Sequence, residues 1–418
     1  MTGPAGQFLA RFATGGDRAA LASGETTLTY AALDDLSSRY AAGLAALGVR
    51  RGDRVAVFAE NSAEVVAALV AHWRLGVIHV PINTRYREEE AGHVLRDSGA
   101  VAVVADAGDA CRRVLDAVGP LPALRTRILL GPPGSGAPAF AELAASAPLD
   151  DGALPATDDT ALLIYTSGTT GKSKGVELTY GNVVGNTQAV MEAWGFSGTD
   201  RVVIALPLFH VHGLCLGTFG TLLCGGTLLL HERFEAARVV ESFAHGGATA
   251  FMGVPTMYVR LLEHLDRHPD AAEPLRGARL FTAGSAPLSA EDFRAFREKT
   301  GHAILERYGM SETLFTLSNP YRGERRAGTV GLPVPGCAVR IVDDAFRDVP
   351  DGELGEIVVR GQGVMRGYWG RPEETRASFR DGWFLTGDVA RRDADGYVTI
   401  VGRKSVDIIK SGGFKISA

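Results

Sequence analysis

The sequence predicts an α/β protein: two doubly wound α/β lobes followed by a small β subdomain. Three observations lead there. From Thr29 onward, short apolar strands alternate with amphipathic helical stretches, and the same alternation restarts at Ala161. After about residue 335 the texture changes to short strands separated by Asp-Gly and glycine-rich turns. At 418 residues the chain is also too long for a single small core.

The elements follow in order. Leu33, Leu36, Tyr40, Leu44 and Leu47 recur at steps of three and four, which predicts a helix over 30–47 ended near Gly48. Arg54–Phe58 reads as a strand, 63–75 as a helix, Val77–Val80 as a strand closed by the breaker Pro81, and Val101–Val104 as a further strand. The tract 133–158, with Pro133-Gly-Ser-Gly-Ala-Pro138 and Ala145-Ser-Ala-Pro148, reads as the connection between lobes 1–158 and 159–335. In the second lobe, strand Ala161–Tyr165 leads into a glycine loop. Helix 182–193, strand Val202–Leu206 and an apolar, glycine-spaced stretch at 213–230 follow. Helix 255–265 opens with Pro255 in its first turn, and Arg279–Phe281 and Ile304–Arg307 are strands. The β subdomain, 336–403, carries strands Val339–Val342, Glu356–Val359 and Tyr397–Val401.

Composition excludes several classes. A net charge of −5 offers no basic surface for nucleic acid. No run of 18 apolar residues could span a membrane, and the N-terminus lacks the pattern of a secretory signal. Cys111, Cys215, Cys224 and Cys337 are scattered without metal-ligand or disulfide spacing, in keeping with a reducing cytoplasm. Only Lys172, Lys174, Lys299, Lys404, Lys410 and Lys415 are lysines, so each can be weighed singly.

The loop at 166–175 carries the sharpest chemistry. Thr166, Ser167, Thr169, Thr170 and Ser173 supply hydroxyls, Gly168, Gly171 and Gly175 open the backbone, and Lys172 and Lys174 supply charge. Backbone N–H groups, hydroxyls and cations in one turn suit a polyphosphate. A flexible linker has a similar composition but does not follow directly on an apolar strand. Gly171-Lys172-Ser173 looks like the end of a Walker A loop, yet that motif needs glycine at position 166 and opens a helix. Here Lys174-Gly-Val-Glu-Leu-Thr179 reads as a return strand.

Further motifs come in a set order: Leu206-Pro-Leu-Phe-His210, Ala283-Gly-Ser-Ala-Pro287, Arg307-Tyr-Gly-Met-Ser-Glu312, Thr386-Gly-Asp388 and Gly402-Arg403. With the loop they resemble the adenylate-forming superfamily of acyl-CoA synthetases, peptide-synthetase adenylation domains and luciferases, although Ser173-Lys174-Gly175 replaces the usual Pro-Lys-Gly. The resemblance implies a large AMP-binding domain over 1–403, with 404–418 as hinge, and it implies ATP, Mg²⁺ and CoA as reactants and cofactor. It implies that Thr166, Ser167, Gly168, Thr169, Thr170, Gly171 and Lys174 hold the β- and γ-phosphates. Tyr308 would face the adenine opposite the turn Gly284, Ser285, Ala286, Pro287, in a motif continued by Gly309, Met310 and Ser311. Glu312, with Thr170, would hold Mg²⁺, a hard cation that prefers oxygen ligands. Asp388 would accept hydrogen bonds from the ribose, assisted by Arg403, and His210 would gate the acid site. His210, Glu312 and Lys174 are thus the implied catalytic residues. An acid carboxylate would attack the α-phosphate, pyrophosphate would leave, and the CoA thiol would attack the acyl-adenylate.

Which acid follows from charge. No aspartate occurs from 201 to 230, where amino-acid-activating relatives hold the substrate amine. Arg307, immediately before Tyr308, would be an uncompensated buried cation beside a fatty tail. With Gly253-Val-Pro-Thr-Met-Tyr-Val-Arg260 and Gly284-Ser285, the pattern is similar to malonyl-CoA synthetases. In that family the equivalents of Arg260, Ser285 and Arg307 bind the distal carboxylate, and arginine suits the task by pairing bidentately. The implied acid is malonate or methylmalonate. A fatty acyl-CoA synthetase and an inactive nucleotide-binding module are the alternatives. The resemblance also implies a small C-terminal domain carrying a catalytic lysine, which none of the six lysines matches. The chain is therefore expected to bind nucleotide and acid but to adenylate poorly.

Overall fold

Strand Arg54–Phe58 lies at the middle of a parallel run, flanked by Ile78–Pro81 on one side and Ala102–Asp106 on the other. Thr126–Leu130 adds beyond the latter and Thr160–Thr166 beyond the former, also parallel. Lys174–Thr179 and then Gly367–Tyr368 extend the sheet as antiparallel strands. Runs such as Val55-Ala-Val-Phe58 are buried throughout, as expected where helices cover both faces of a parallel sheet. The computed structural model describes residues 3–106, 108–130, 137–149, 152–166, 172–404, 408–411 and 414–417. Parts of the 133–158 tract, and Ser405–Asp407 of the expected hinge, lie outside them.

The chain divides into two compact units. The first comprises Met1–Gly185, Ser197–Phe234 and Met365–Gly370. Besides the seven-stranded sheet it holds Arg201–Ile204 parallel to Thr227–Leu230, then Ala19–Ser23 parallel to that strand and Thr26–Thr29 antiparallel at the end. Helix Ala63–Leu75 starts where Ser62 accepts the Val65 N–H and stops at Gly76, whose φ of 73° suits glycine at a helix C-terminus. Helix Tyr30–Ala46 is capped in the same way by Thr29.

The second unit comprises Asn186–Phe196, Glu235–Val364 and Arg371–Ala418. Ala250–Gly253, Leu280–Ala283 and Leu305–Met310 are parallel, and Leu314–Ser318 and Leu332–Pro333 continue antiparallel. A small antiparallel sheet joins Cys337–Val342, Gly355–Gly361, Trp383–Arg392 and Phe379–Arg380, with Val398–Arg403 also paired to Trp383–Arg392. Ile341, Ile357, Val359, Ala390 and Val398 from this sheet cluster with Tyr308, Leu317 and Val330. The core of the subdomain therefore reaches the residue expected against the adenine. Among the described residues no helix is long and apolar enough to cross a membrane.

Several elements differ from the sequence reading. The strand read as Val77–Val80 is Ile78–Pro81: Pro81 lies inside it, opposite Val57, and the next bond is made by the Ile82 N–H to the Val57 carbonyl. Strand Leu305–Met310 runs past Arg307 because Leu314–Ser318 folds back onto it. The stretch after His210 is a π-helix, His212–Gly220. Ahead of Thr29, helix Pro4–Gly15 buries Phe8 and Phe12, and strand Ala19–Ser23 follows.

Candidate active site

In the first unit the two ends of the phosphate loop are placed, whereas Ser167, Gly168, Thr169, Thr170 and Gly171 lie outside the described residues. Thr166 pairs with Lys174 at the mouth of the hairpin. Gly175 leaves room there: a Cβ would stand 3.1 Å from the Tyr165 ring, a tight contact. Tyr165 in turn donates its hydroxyl to Asp97 (2.8 Å), and His93 Nε2 lies 2.7 Å from the Ser173 carbonyl oxygen. Helix Glu88–Ser98 thus grips both limbs of the hairpin.

His210 follows strand Arg201–Ile204 and stands exposed, yet surrounding protein lowers its imidazole pKa and favours the neutral form. Its loop is stitched by a residue the sequence reading missed. Buried Asn61 donates from Nδ2 to the carbonyls of Leu206 (2.9 Å) and His231 (3.0 Å) and accepts the Leu208 N–H at Oδ1 (3.0 Å). The π-helix starts two residues beyond His210, and Gly213 lets it approach the loop, because a Cβ there would lie 2.6 Å from the Pro207 carbonyl oxygen. π-Helical turns recur at functional sites.

In the second unit Arg307 is 3 % exposed, and its Nε and Nη2 have no hydrogen-bond partner. Its guanidinium lies on the face of Phe315, 5.0 Å from the ring centroid, and burial pushes its pKa down to about 9. Gly284 makes room for it: a Cβ there would stand 2.6 Å from Arg307 Nε. The next residue, Ser285, is exposed at φ 70°, a left-handed conformation that side chains rarely adopt and that holds the Gly284–Pro287 turn in one shape. Glu306, on the same strand, accepts the Leu288 N–H just past this turn (3.2 Å). Its second carboxyl oxygen has no partner, and burial raises the carboxyl pKa to about 7. Arg260 stands exposed on helix Pro255–Arg267 and so differs from Arg307 in environment.

The structure brings three expected nucleotide residues together. Tyr308 donates its hydroxyl to Asp388 Oδ2 (2.6 Å), and Arg403 Nε lies 3.0 Å from Asp388 Oδ1. Burial, and then the Asp388 charge, push the Tyr308 hydroxyl pKa well up. Asp388 and Arg403 face each other across Trp383–Arg392 and Val398–Arg403, while Thr386 Oγ1 accepts the Asp388 N–H (3.0 Å). Asp388 is therefore held by a phenol and a guanidinium, and not loose in a turn. Gly309 passes so close to the Leu314 carbonyl that a Cβ would stand 1.8 Å from it. Glu312, buried just before Leu314–Ser318, is a carboxylate of the hardness a Mg²⁺ site needs, while Thr170 is outside the described residues.

Similarity to known proteins identifies the family: residues 8–369 match the AMP-binding enzyme family. The chain belongs to it. It is 36% identical over 393 residues to the malonate–CoA ligase of Arabidopsis thaliana, covering 89% of this chain and 63% of that protein. It is 38% identical over 401 residues to a feruloyl-CoA synthase of Amycolatopsis sp, covering 95% of this chain and 77% of that protein. The ATP-bound structure of MatB from Rhodopseudomonas palustris superposes with a TM-score of 0.90 at 36% identity, covering 99% of this chain and 81% of that one. This chain thus spans less than two thirds of the Arabidopsis protein.

Proposed function

We propose that this chain is the nucleotide- and acid-binding part of an ATP-dependent, AMP-forming acyl-CoA ligase whose acid carries a second carboxylate, with malonate or methylmalonate the leading substrates. The observation that carries the reading is Arg307, a buried guanidinium with two unpartnered nitrogens. Such a cation is costly beside an aliphatic or aromatic acid and is matched by a carboxylate, which accepts two parallel hydrogen bonds. Ser285 and Arg260 are proposed to complete the carboxylate contacts from the turn and the helix. The similarity to malonate–CoA ligases supports the same choice, and the feruloyl-CoA synthase supplies the competing one.

In this reading Tyr308 and the Gly284–Pro287 turn, with Ala286, flank the adenine, Gly309, Met310 and Ser311 shape its edge, and Asp388 takes the ribose hydroxyls with Arg403. Asp388 is suited to that role because its two oxygens are already oriented by Tyr308 and Arg403. Thr166 and Lys174, with the loop between them, hold the β- and γ-phosphates and stabilise the leaving pyrophosphate. Glu312, with Thr170, would hold Mg²⁺, which supplies charge neutralisation at the phosphates. His210, whose neutral form is favoured, is proposed to close the acid site.

The test is acid-dependent pyrophosphate release with malonate, methylmalonate, acetate, octanoate and ferulate in parallel, together with calorimetric binding of ATP and of each acid to the 418-residue chain. Dependence on malonate or methylmalonate is expected. Preference for octanoate or ferulate overturns the dicarboxylate assignment, and formation of ADP in place of AMP overturns the adenylation chemistry.

A further inference from the structure

A short piece of chain from far downstream returns to the first unit at the base of the phosphate loop. Met365–Gly370 belongs to that unit, although the residues before and after it belong to the other. Gly367 and Tyr368 pair antiparallel with Glu177 and Val176. The pairing is extended at both ends, where the Arg366 N–H donates to the Glu177 carbonyl (3.0 Å) and the Trp369 N–H donates to the Gly175 carbonyl (2.8 Å). Arg366 Nη1 also reaches Glu177 Oε1 at 3.2 Å. Trp369 packs on the core cluster that contains Tyr165, and the Arg54 guanidinium lies 5.9 Å from its ring centroid. The strap is therefore anchored on both sides of Tyr368, and the phenol ring stands 5.1 Å from Lys174 Nζ.

We propose that Tyr368 is a positioning residue for Lys174, its ring face holding the ammonium at the mouth of the loop for the β- and γ-phosphates of the nucleotide. The inference rests on reading Lys174 as a phosphate contact. Lysine is a flexible point charge that loses rotamer entropy when it grips an anion. An aromatic face against the ammonium restricts it beforehand. The strap adds rigidity, since Tyr368 cannot move without breaking ladder bonds to the return strand that carries Lys174.

The test is calorimetric titration of the 418-residue chain with ATP and, separately, with AMP, which lacks the two phosphates concerned. Four proteins are compared: the parent, Lys174→Ala, Tyr368→Phe, and the chain with 3,4,5-trifluorophenylalanine introduced at position 368. The fluorinated ring keeps its shape and packing but loses the negative face that attracts a cation, so folding is preserved while the contact is removed. The trifluorinated ring should weaken ATP by roughly three- to tenfold relative to Tyr368→Phe, with AMP unchanged. If the trifluorinated protein binds ATP like Tyr368→Phe while Lys174→Ala weakens ATP, the positioning role is wrong and the phosphate reading stands. If Lys174→Ala leaves ATP binding unchanged, the phosphate reading itself fails. Equal losses of ATP and AMP at position 368 would mark the residue as structural and overturn the proposal.

Discussion

Replacing Arg307 by methionine keeps most of the side-chain volume and removes the charge, and two effects of opposite sign should follow. Burial lowers the guanidinium pKa from 12.5 to about 9, so the protonated side chain carries on the order of 5 kcal/mol of desolvation that the free site does not recover. Nε and Nη2, both without partners, are where a carboxylate would recover it. Without Arg307 the distal carboxylate would enter a buried site unpaired, a loss of about 3–5 kcal/mol, or about 10²–10⁴-fold in kcat/KM for malonate. Acetate has no distal carboxylate and should be used unchanged or better. The free protein should melt no lower than the parent, because the variant no longer buries an unmatched cation. Pyrophosphate release with malonate and acetate, alongside thermal unfolding, measures all three quantities. Unchanged malonate turnover would refute the argument, and so would parallel losses with malonate and acetate.

Gly284→Ala tests the same cradle by steric means. The new Cβ would sit 2.6 Å from Arg307 Nε, so the guanidinium must shift, and malonate use should fall at least tenfold in the same assay while acetate use is spared. Glu306 gives a pH test. Its folded pKa of about 7 lies above 4.5, so its protonated form favours the fold. That contribution is complete below pH 4.5 and is lost as pH rises through 7, up to roughly 3 kcal/mol. Glu306→Gln keeps an acceptor for the Leu288 N–H, and its melting temperature should change less between pH 5 and 8 than the parent's. An identical pH dependence would count against the assignment. Asn61→Asp turns a donor that serves two carbonyls into an acceptor facing them. About 2–4 kcal/mol of stability should be lost in denaturant unfolding, and no loss would show the stitch to be dispensable.

Local rules made much of this architecture legible. The helical stretch read at 63–75 matches helix Ala63–Leu75, whose ends Ser62 and Gly76 mark chemically. The alternation of strands and helices gave the α/β class because covered parallel strands read as apolar runs. What escaped depends on contacts distant in sequence. Asn61 carries no motif, and its amide gains meaning only when Leu206, Leu208 and His231 fold around it, about 145–170 positions away. Gly367-Tyr368 is too short to register as a strand until Lys174–Thr179 offers it a partner. Helix Pro4–Gly15 is capped without a side-chain acceptor, so only burial of Phe8 and Phe12 distinguishes it.

The two arginines show where sequence chemistry stops and burial takes over. Arg260 and Arg307 were equivalent as letters, each implied by resemblance to meet a distal carboxylate. The fold separates them: Arg260 is exposed on a helix, and Arg307 is buried on a strand against Gly284 and Phe315. An exposed arginine near an anion gains at most about 1 kcal/mol and is screened by salt, whereas a buried one is worth several. Substituting each in turn should therefore rank them. Arg260→Ala should cost malonate use a few-fold, an effect that shrinks further at 0.5 M salt. Arg307→Met should cost at least thirtyfold more than Arg260→Ala at any salt concentration. Equal effects of the two substitutions would mean that Arg260 is desolvated when the acid binds, and that exposure in the free protein is a poor guide to the charge the acid meets.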